Sequence, residues 1–103
     1  MDYKIVETGS DLMVAMSGRF TFVDREPFGK VVQRIGQMTG GTCAIDLSAV
    51  EFVDSAALGM LLMARDAAGS HGARLVLRGP KGHVKRVFDI AKFDALFVIE
   101  PAA

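Results

Sequence analysis

The stretch from Thr42 to Leu61 constrains the fold more than any other part of the chain, because two periodicities meet in it. Thr42 to Leu47 is a short, nearly continuous apolar run broken only by Asp46, the pattern of a central strand covered on more than one side. A short loop, Ser48 to Asp54, is expected next, and then a helix whose first residue is Ser55 and which stays apolar through Ala64. Arg65 and Asp66 turn that helix polar and Gly69 ends it. The serine therefore stands at a helix N-terminus, where unpaired backbone N–H groups and the positive end of the helix dipole favour an anion. A phosphate there would place roughly 1.5 to 2 negative charges on a surface otherwise dominated by Val53, Ala56, Ala57, Leu58 and Met60.

The rest of the chain supplies partners for that strand and helix. Tyr3 to Glu7 and Leu12 to Phe20 are strand-like runs separated by Thr8-Gly9-Ser10-Asp11, which predicts an edge hairpin. Pro27 suits a first helical turn, and Phe28, Val31, Val32, Ile35 and Met38 then share one face of a helix expected to stop near Gly40-Gly41. Arg74 to Arg78 forms another strand and Gly79-Pro80-Lys81-Gly82 a turn. Val84, Val87, Phe88 and Ala91 make one face of a further helix, and Phe97 to Ile99 closes the sheet. Strand pairs linked by helices call for parallel neighbours, so the expected fold is one α/β domain over residues 1 to 103. It has a mixed β-sheet with helices packed mainly on one side.

A chain of 103 residues with a half-apolar composition suits one core and no second domain. Twelve basic and twelve acidic residues cancel, which argues against the broad positive field of a nucleic-acid binder. The single Cys43 has no partner for an internal disulfide and reads as a buried strand residue. No apolar run approaches the roughly 18 residues of a membrane span and the first residues lack a signal core, so no membrane insertion and a cytoplasmic location are expected.

Several residues invite a chemical reading and most have a simpler one. Ser55 and Asp54 compete for the helix cap, since both types accept hydrogen bonds from the first turn. Ser48 and Thr21 are hydroxyls expected at strand exits near Ser55, with turn and strand chemistry as their ordinary role. Gly59 within a helix suggests a close approach to a strand. His71 and His83 lack metal-ligand spacing and read as solvated; no metal or cofactor is expected. Gly79-Pro80-Lys81-Gly82 lacks the spacing and ending of a phosphate-binding loop. Met13, Met16, Met38, Met60 and Met63 read for the most part as core, with Met60 a candidate for a docking surface beside Ser55. Catalysis by Ser55 is disfavoured, because no nucleophile elbow surrounds it and no histidine has a motif-defined place beside it.

The run Asp54-Ser55-Ala56-Ala57-Leu58-Gly59, preceded by Ile45-Asp46-Leu47-Ser48, resembles the signature of STAS domains, the family of bacterial anti-sigma factor antagonists. The resemblance takes in Gly18-Arg19-Phe20, the helix beginning near Pro27, Arg74-Leu75-Val76-Leu77 and Val84-Lys85-Arg86-Val87-Phe88. It implies a phosphoacceptor at Ser55. It also implies, as partners, an anti-sigma factor that is a serine kinase of the histidine-kinase-like ATPase type and a metal-dependent serine phosphatase. The docking face would comprise Asp54, Ser55, Ala56, Ala57, Leu58 and Met60 with Thr21 and Asp24. The chain departs from the family at Thr21, where many members carry an acidic residue, and Asp24 is the nearby carboxylate. Ala56 replaces a serine or similar small residue, removing an alternative acceptor. The function implied is a phosphorylation-gated binding switch, monomeric or weakly dimeric; the alternative is a non-phosphorylated adaptor subunit of a transporter or other regulatory complex.

Overall fold

The computed structural model describes residues 1–101. Strands β1 (Asp2–Thr8) and β2 (Asp11–Phe20) form the expected hairpin, turning at Gly9, whose φ of 62° suits a residue without a Cβ. A short 3-10 turn (Phe22–Asp24) leads into α1 (Arg25–Ile35). Then come β3 (Thr42–Val53), α2 (Ser55–Gly69), β4 (Arg74–Arg78), α3 (Gly82–Ile90), a second 3-10 turn (Phe93–Ala95) and β5 (Val98–Glu100). The sheet order is β1-β2-β3-β4-β5. The β1–β2 pair is antiparallel and the other three pairs are parallel, as the mixed sheet expected from sequence requires.

Register decides which side chains meet the helices. Leu12, Cys43 and Leu75 lie side by side across three strands, and Val14, Ile45 and Leu77 form the next row. These rows pack with Phe28, Val31 and Ile35 of α1, Ala57, Leu61, Ala64 and Ala68 of α2, and Val84 and Phe88 of α3 in one hydrophobic core. Every helix thus contributes to the core on one face of the sheet. The opposite face carries the alternate row Val6, Met13, Ala44, Val76 and Val98, none of it part of that core. Cys43 is fully buried among these residues, and burial pushes its thiol up to about 12, with the Arg34 charge pulling slightly the other way.

Element ends differ from expectation in instructive ways. Strand β3 does not stop at Leu47 but continues to Val53, so the segment read as a loop is a strand. Its pairing with β2 shifts register between Ala15 and Ser17 and again between Gly18 and Arg19. These irregularities break the alternation that marks a strand in sequence. Ser48 donates through its N–H and its hydroxyl to Asp46 Oδ1 at 2.9 and 2.7 Å, a local bond that favours the irregularity. Helix α1 starts at Arg25 and ends at Ile35, short of Gly40-Gly41, because Gly36 closes it; Met38 stays buried beyond the helix. Gly41 has φ 79°, and a Cβ there would lie 2.2 Å from the Ser10 carbonyl oxygen, so the glycine lets this segment pass the hairpin turn. Strand β5 begins at Val98 because Phe97 turns inward onto Phe93, which also stacks on Phe88, each pair at 4.9 Å between ring centres.

Gly59 is the clearest reversal. A methyl group at that position would meet nothing within 4 Å beyond its chain neighbours and the backbone of its own helix, and the residue is exposed. Close packing on a strand is therefore not why glycine stands there, although it weakens the helix by about 1 kcal/mol relative to alanine.

Candidate functional site

At the end of β3 the backbone stays extended through Asp54 (φ −109°, ψ −180°) and then turns into α2. That geometry aims the Asp54 carboxylate back over the first turn. Oδ1 accepts the Ala57 N–H at 2.9 Å, while Oδ2 accepts the Phe22 N–H at 3.0 Å. One side chain thus caps α2 and ties it to the 3-10 turn after β2, two segments 32 residues apart. Burial alone would raise the Asp54 carboxyl. The backbone N–H groups of Ala57, Phe22, Ala56 and Asp54 itself outweigh it and hold the group below its usual range.

The competition between the two caps is settled by that arrangement: Asp54 caps the helix and Ser55 occupies its first position, exposed. The serine hydroxyl is thereby free of the capping role. Around it Ala56 and Leu58 are half-buried. Ala57 and Met60 are not surface residues: they are 0% and 7% exposed and belong to the core, because they lie on the helix face turned to the sheet and α1. Val53, 2% exposed, is likewise interior. The docking face read from sequence is therefore corrected at these positions, which support the surface from beneath.

Asp24 is also interior, at 5% exposure. Its Oδ2 accepts the Thr21 N–H and its Oδ1 the amino group of Met1, both at 2.8 Å, so its carboxylate is consumed in holding the turn. Thr21 is half-buried at the start of that turn. What the turn presents instead is Phe22 and Val23, 58% and 80% exposed, with the Arg25 guanidinium 5.3 Å from the Phe22 ring centre. Met63, expected in the core, is 58% exposed. It lines a groove of about 410 Å³ between α1 and α2 with Arg25, Glu26, Gly29, Val32 and Met60. Sequence reading missed Phe22, Val23 and Met63. The available signal was that Phe22-Val23 falls between a strand and a helix, on the apolar face of neither.

Other expected neighbours are elsewhere. Ser48 lies inside β3, seven positions before Ser55, or about 20 Å along an extended strand, so it does not adjoin the site. His83 is half-buried rather than solvated: its ring stacks on Phe52 at 4.6 Å and its Nε2 lies 3.2 Å from the Val53 carbonyl oxygen. The Arg19 guanidinium also lies over the Phe52 ring, 4.2 Å from its centre. His71 is exposed, with Nδ1 3.0 Å from the Ala67 carbonyl oxygen. Among the described residues no group of three His, Cys, Asp or Glu side chains is placed to hold a metal ion, and no helix is long and apolar enough to cross a membrane. A hollow of about 600 Å³ lies by Gly69, Ala73 and Phe97 and includes none of the site residues.

Comparison with known proteins converges on this description. The family model described as "Mlab, STAS domain" matches residues 4–100. A STAS-domain containing protein of Pseudomonas aeruginosa is 34% identical over 91 residues, which cover 88% of this chain and 89% of that protein. An anti-sigma factor antagonist from Mycobacterium paratuberculosis superposes with a TM-score of 0.79 at 24% identity, covering 98% of this chain and 86% of that one. The Bacillus cell fate determinant SpoIIAA in its phosphorylated form gives 0.66 at 16% identity over 95% and 90% of the two chains. A sulfate transporter family protein from Wolinella succinogenes gives 0.75 at 15% identity over 94% and 81%. The family match spans nearly all of the described residues, and the Pseudomonas relative is matched over most of both chains: the chain belongs to the STAS domain family.

Proposed function

We propose that this chain is an anti-sigma factor antagonist, a binding module gated by phosphorylation of Ser55. Unphosphorylated, it docks through the Ser55 end on an anti-sigma factor that is also a serine kinase of the histidine-kinase-like ATPase type, and the factor's client is released. Transfer forms a bond between Ser55 Oγ and the γ-phosphorus of ATP and breaks the bridging bond to the β-phosphate. ADP leaves and the hydroxyl proton passes to a base of the kinase. A metal-dependent serine phosphatase resets the switch. The chain itself supplies an acceptor and a surface and no catalytic group, and it works in the cytoplasm as a monomer or weak homodimer without contacting nucleic acid or membrane.

The observation that carries this reading is the division of labour at the α2 N-terminus: Asp54 caps the helix, which leaves the Ser55 hydroxyl exposed and unencumbered beside the apolar Phe22 and Val23. Phosphate on Ser55 adds roughly 1.5 to 2 negative charges next to the Asp54 carboxylate. Within an interface of about 1,200 to 2,000 Å², a poorly paired charge of that size outweighs a few kcal/mol of binding, a hundredfold or more in affinity.

A second reading, a non-phosphorylated adaptor subunit of a transporter or other regulatory complex, is supported by the likeness to the sulfate transporter family protein. Incubation with ATP and each histidine-kinase-like anti-sigma protein of the same genome, followed by intact mass and peptide mapping, separates the two. Phosphate on Ser55 is the expected result. Ser55→Ala then binds without incorporating phosphate, and Ser55→Asp binds more weakly. Equal binding by wild type and both variants, with no phosphate transferred, sinks the switch and favours the adaptor.

A further inference from the structure

Helix α2 is rich in alanine on every side: Ala56, Ala57, Ala64, Ala67 and Ala68 all lie within it. Alanine is the residue this helix uses wherever a small side chain suffices, yet position 59, mid-helix, is glycine. Neither backbone nor packing asks for it, since the residue has helical conformation, stands exposed and has open space where a Cβ would project.

Its position supplies the missing reason. Ser55, Gly59 and Met63 are spaced four residues apart, so they follow one another along a single face of the helix, about 6 Å from each to the next. All three are exposed. The ridge therefore consists of a hydroxyl, a gap and an exposed apolar side chain, with the gap directly beside the serine.

We propose that Gly59 is a specificity-determining position for the enzyme that phosphorylates Ser55: the missing Cβ leaves a notch, between Ser55 and Met63, into which the kinase backbone closes when it reaches the hydroxyl. The proposal rests on the reading of Ser55 as phosphoacceptor. It adds that the recognition surface is shaped by an absent side chain as much as by those present. A methyl group in the notch holds the two backbones apart at the one place where transfer needs them close.

The test compares wild type, Gly59→Ala, Gly59→Leu and Gly69→Ala. Gly69, the last residue of α2, is also exposed with nothing near a Cβ, and it lies about 15 Å beyond Gly59 along the helix axis. Each protein is assayed for Tm, for Kd with the partner that captures wild type, and for kcat/KM of phosphate transfer from ATP. Both alanine variants are expected to gain stability, with Gly59→Ala raising Tm by about 4–8 °C. Gly59→Ala nevertheless loses about tenfold or more in kcat/KM and binds more weakly, Gly59→Leu loses more, and Gly69→Ala matches wild type in both. Gly59→Ala phosphorylated and bound within about twofold of wild type overturns the proposal. Wild type that binds without taking up phosphate refutes the phosphoacceptor reading instead, and the Kd comparison alone then decides the glycine.

Discussion

Removing the Asp54 carboxylate breaks two hydrogen bonds that serve different purposes, and two substitutions separate them. Asp54→Ala deletes the cap on Ala57, a loss of about 1 kcal/mol, and the bond to the Phe22 N–H, about 1 kcal/mol more. The sum of about 2 kcal/mol lowers Tm by about 8–16 °C for a domain of this size. Asp54→Asn keeps one acceptor oxygen and is expected to lose about half as much. The carboxyl is held below its ordinary value of 3.8. A carboxylate depressed in this way contributes stability that is fully present above its unfolded pKa and is lost as pH falls through the lower folded value. The gap between wild type and Asp54→Ala is therefore widest near neutrality and narrows below about pH 4. Urea unfolding followed by far-UV circular dichroism measures the gap, and amide exchange at Phe22 reports the tie to the turn directly. A loss under about 0.5 kcal/mol for Asp54→Ala at pH 7 refutes the assignment of Asp54 as the joint between the helix and the turn. Wild-type stability in Asp54→Asn refutes the contribution of the Phe22 bond alone.

Two further outcomes follow from the core and the hairpin. Gly41→Ala puts a Cβ 2.2 Å from the Ser10 carbonyl oxygen at a φ of 79°, so denaturant titration should show a loss of more than about 2 kcal/mol. Cys43, with its thiol pushed up to about 12 from 9.0, contributes stability that is intact below pH 9. That contribution falls by up to about 1.4 kcal/mol per pH unit as pH rises from there towards 12, and Cys43→Ala should show a correspondingly flatter alkaline slope.

What was readable in the sequence was periodicity. The core faces of the strands, the apolar stripe Phe28-Val31-Ile35 and the helix start at Ser55 all repeat with the spacing of their element, and all three are where the pattern puts them. What escaped was set by tertiary geometry. The bulged second half of β3 breaks alternation, so Ser48 to Val53 resembled a loop. The burial of Ala57 and Met60 depends on which helix face meets the sheet, a matter of rotation that a uniformly apolar helix such as α2 does not encode. Asp24 in particular looked like a surface carboxylate because its partners, the Met1 amino group and the Thr21 N–H, come from the residue that precedes β1 and from backbone. The exposed Phe22 and Val23 were hidden for the same reason: their side chains obey a 3-10 turn and no repeating pattern.

The strand order has a consequence for how the molecule comes into being. Each strand pairs only with those immediately before and after it in the chain, so no pairing needs a loop longer than one helical crossover. During synthesis β1, β2 and β3 have all their mutual partners before α2 has been made. Helix α2 packs against β4 as well as α1, so its seat is complete only once the chain has been extended through Arg78. The Ser55 end is thus among the later surfaces to mature, and a nascent chain has its hairpin and central strand in place well before that end is complete.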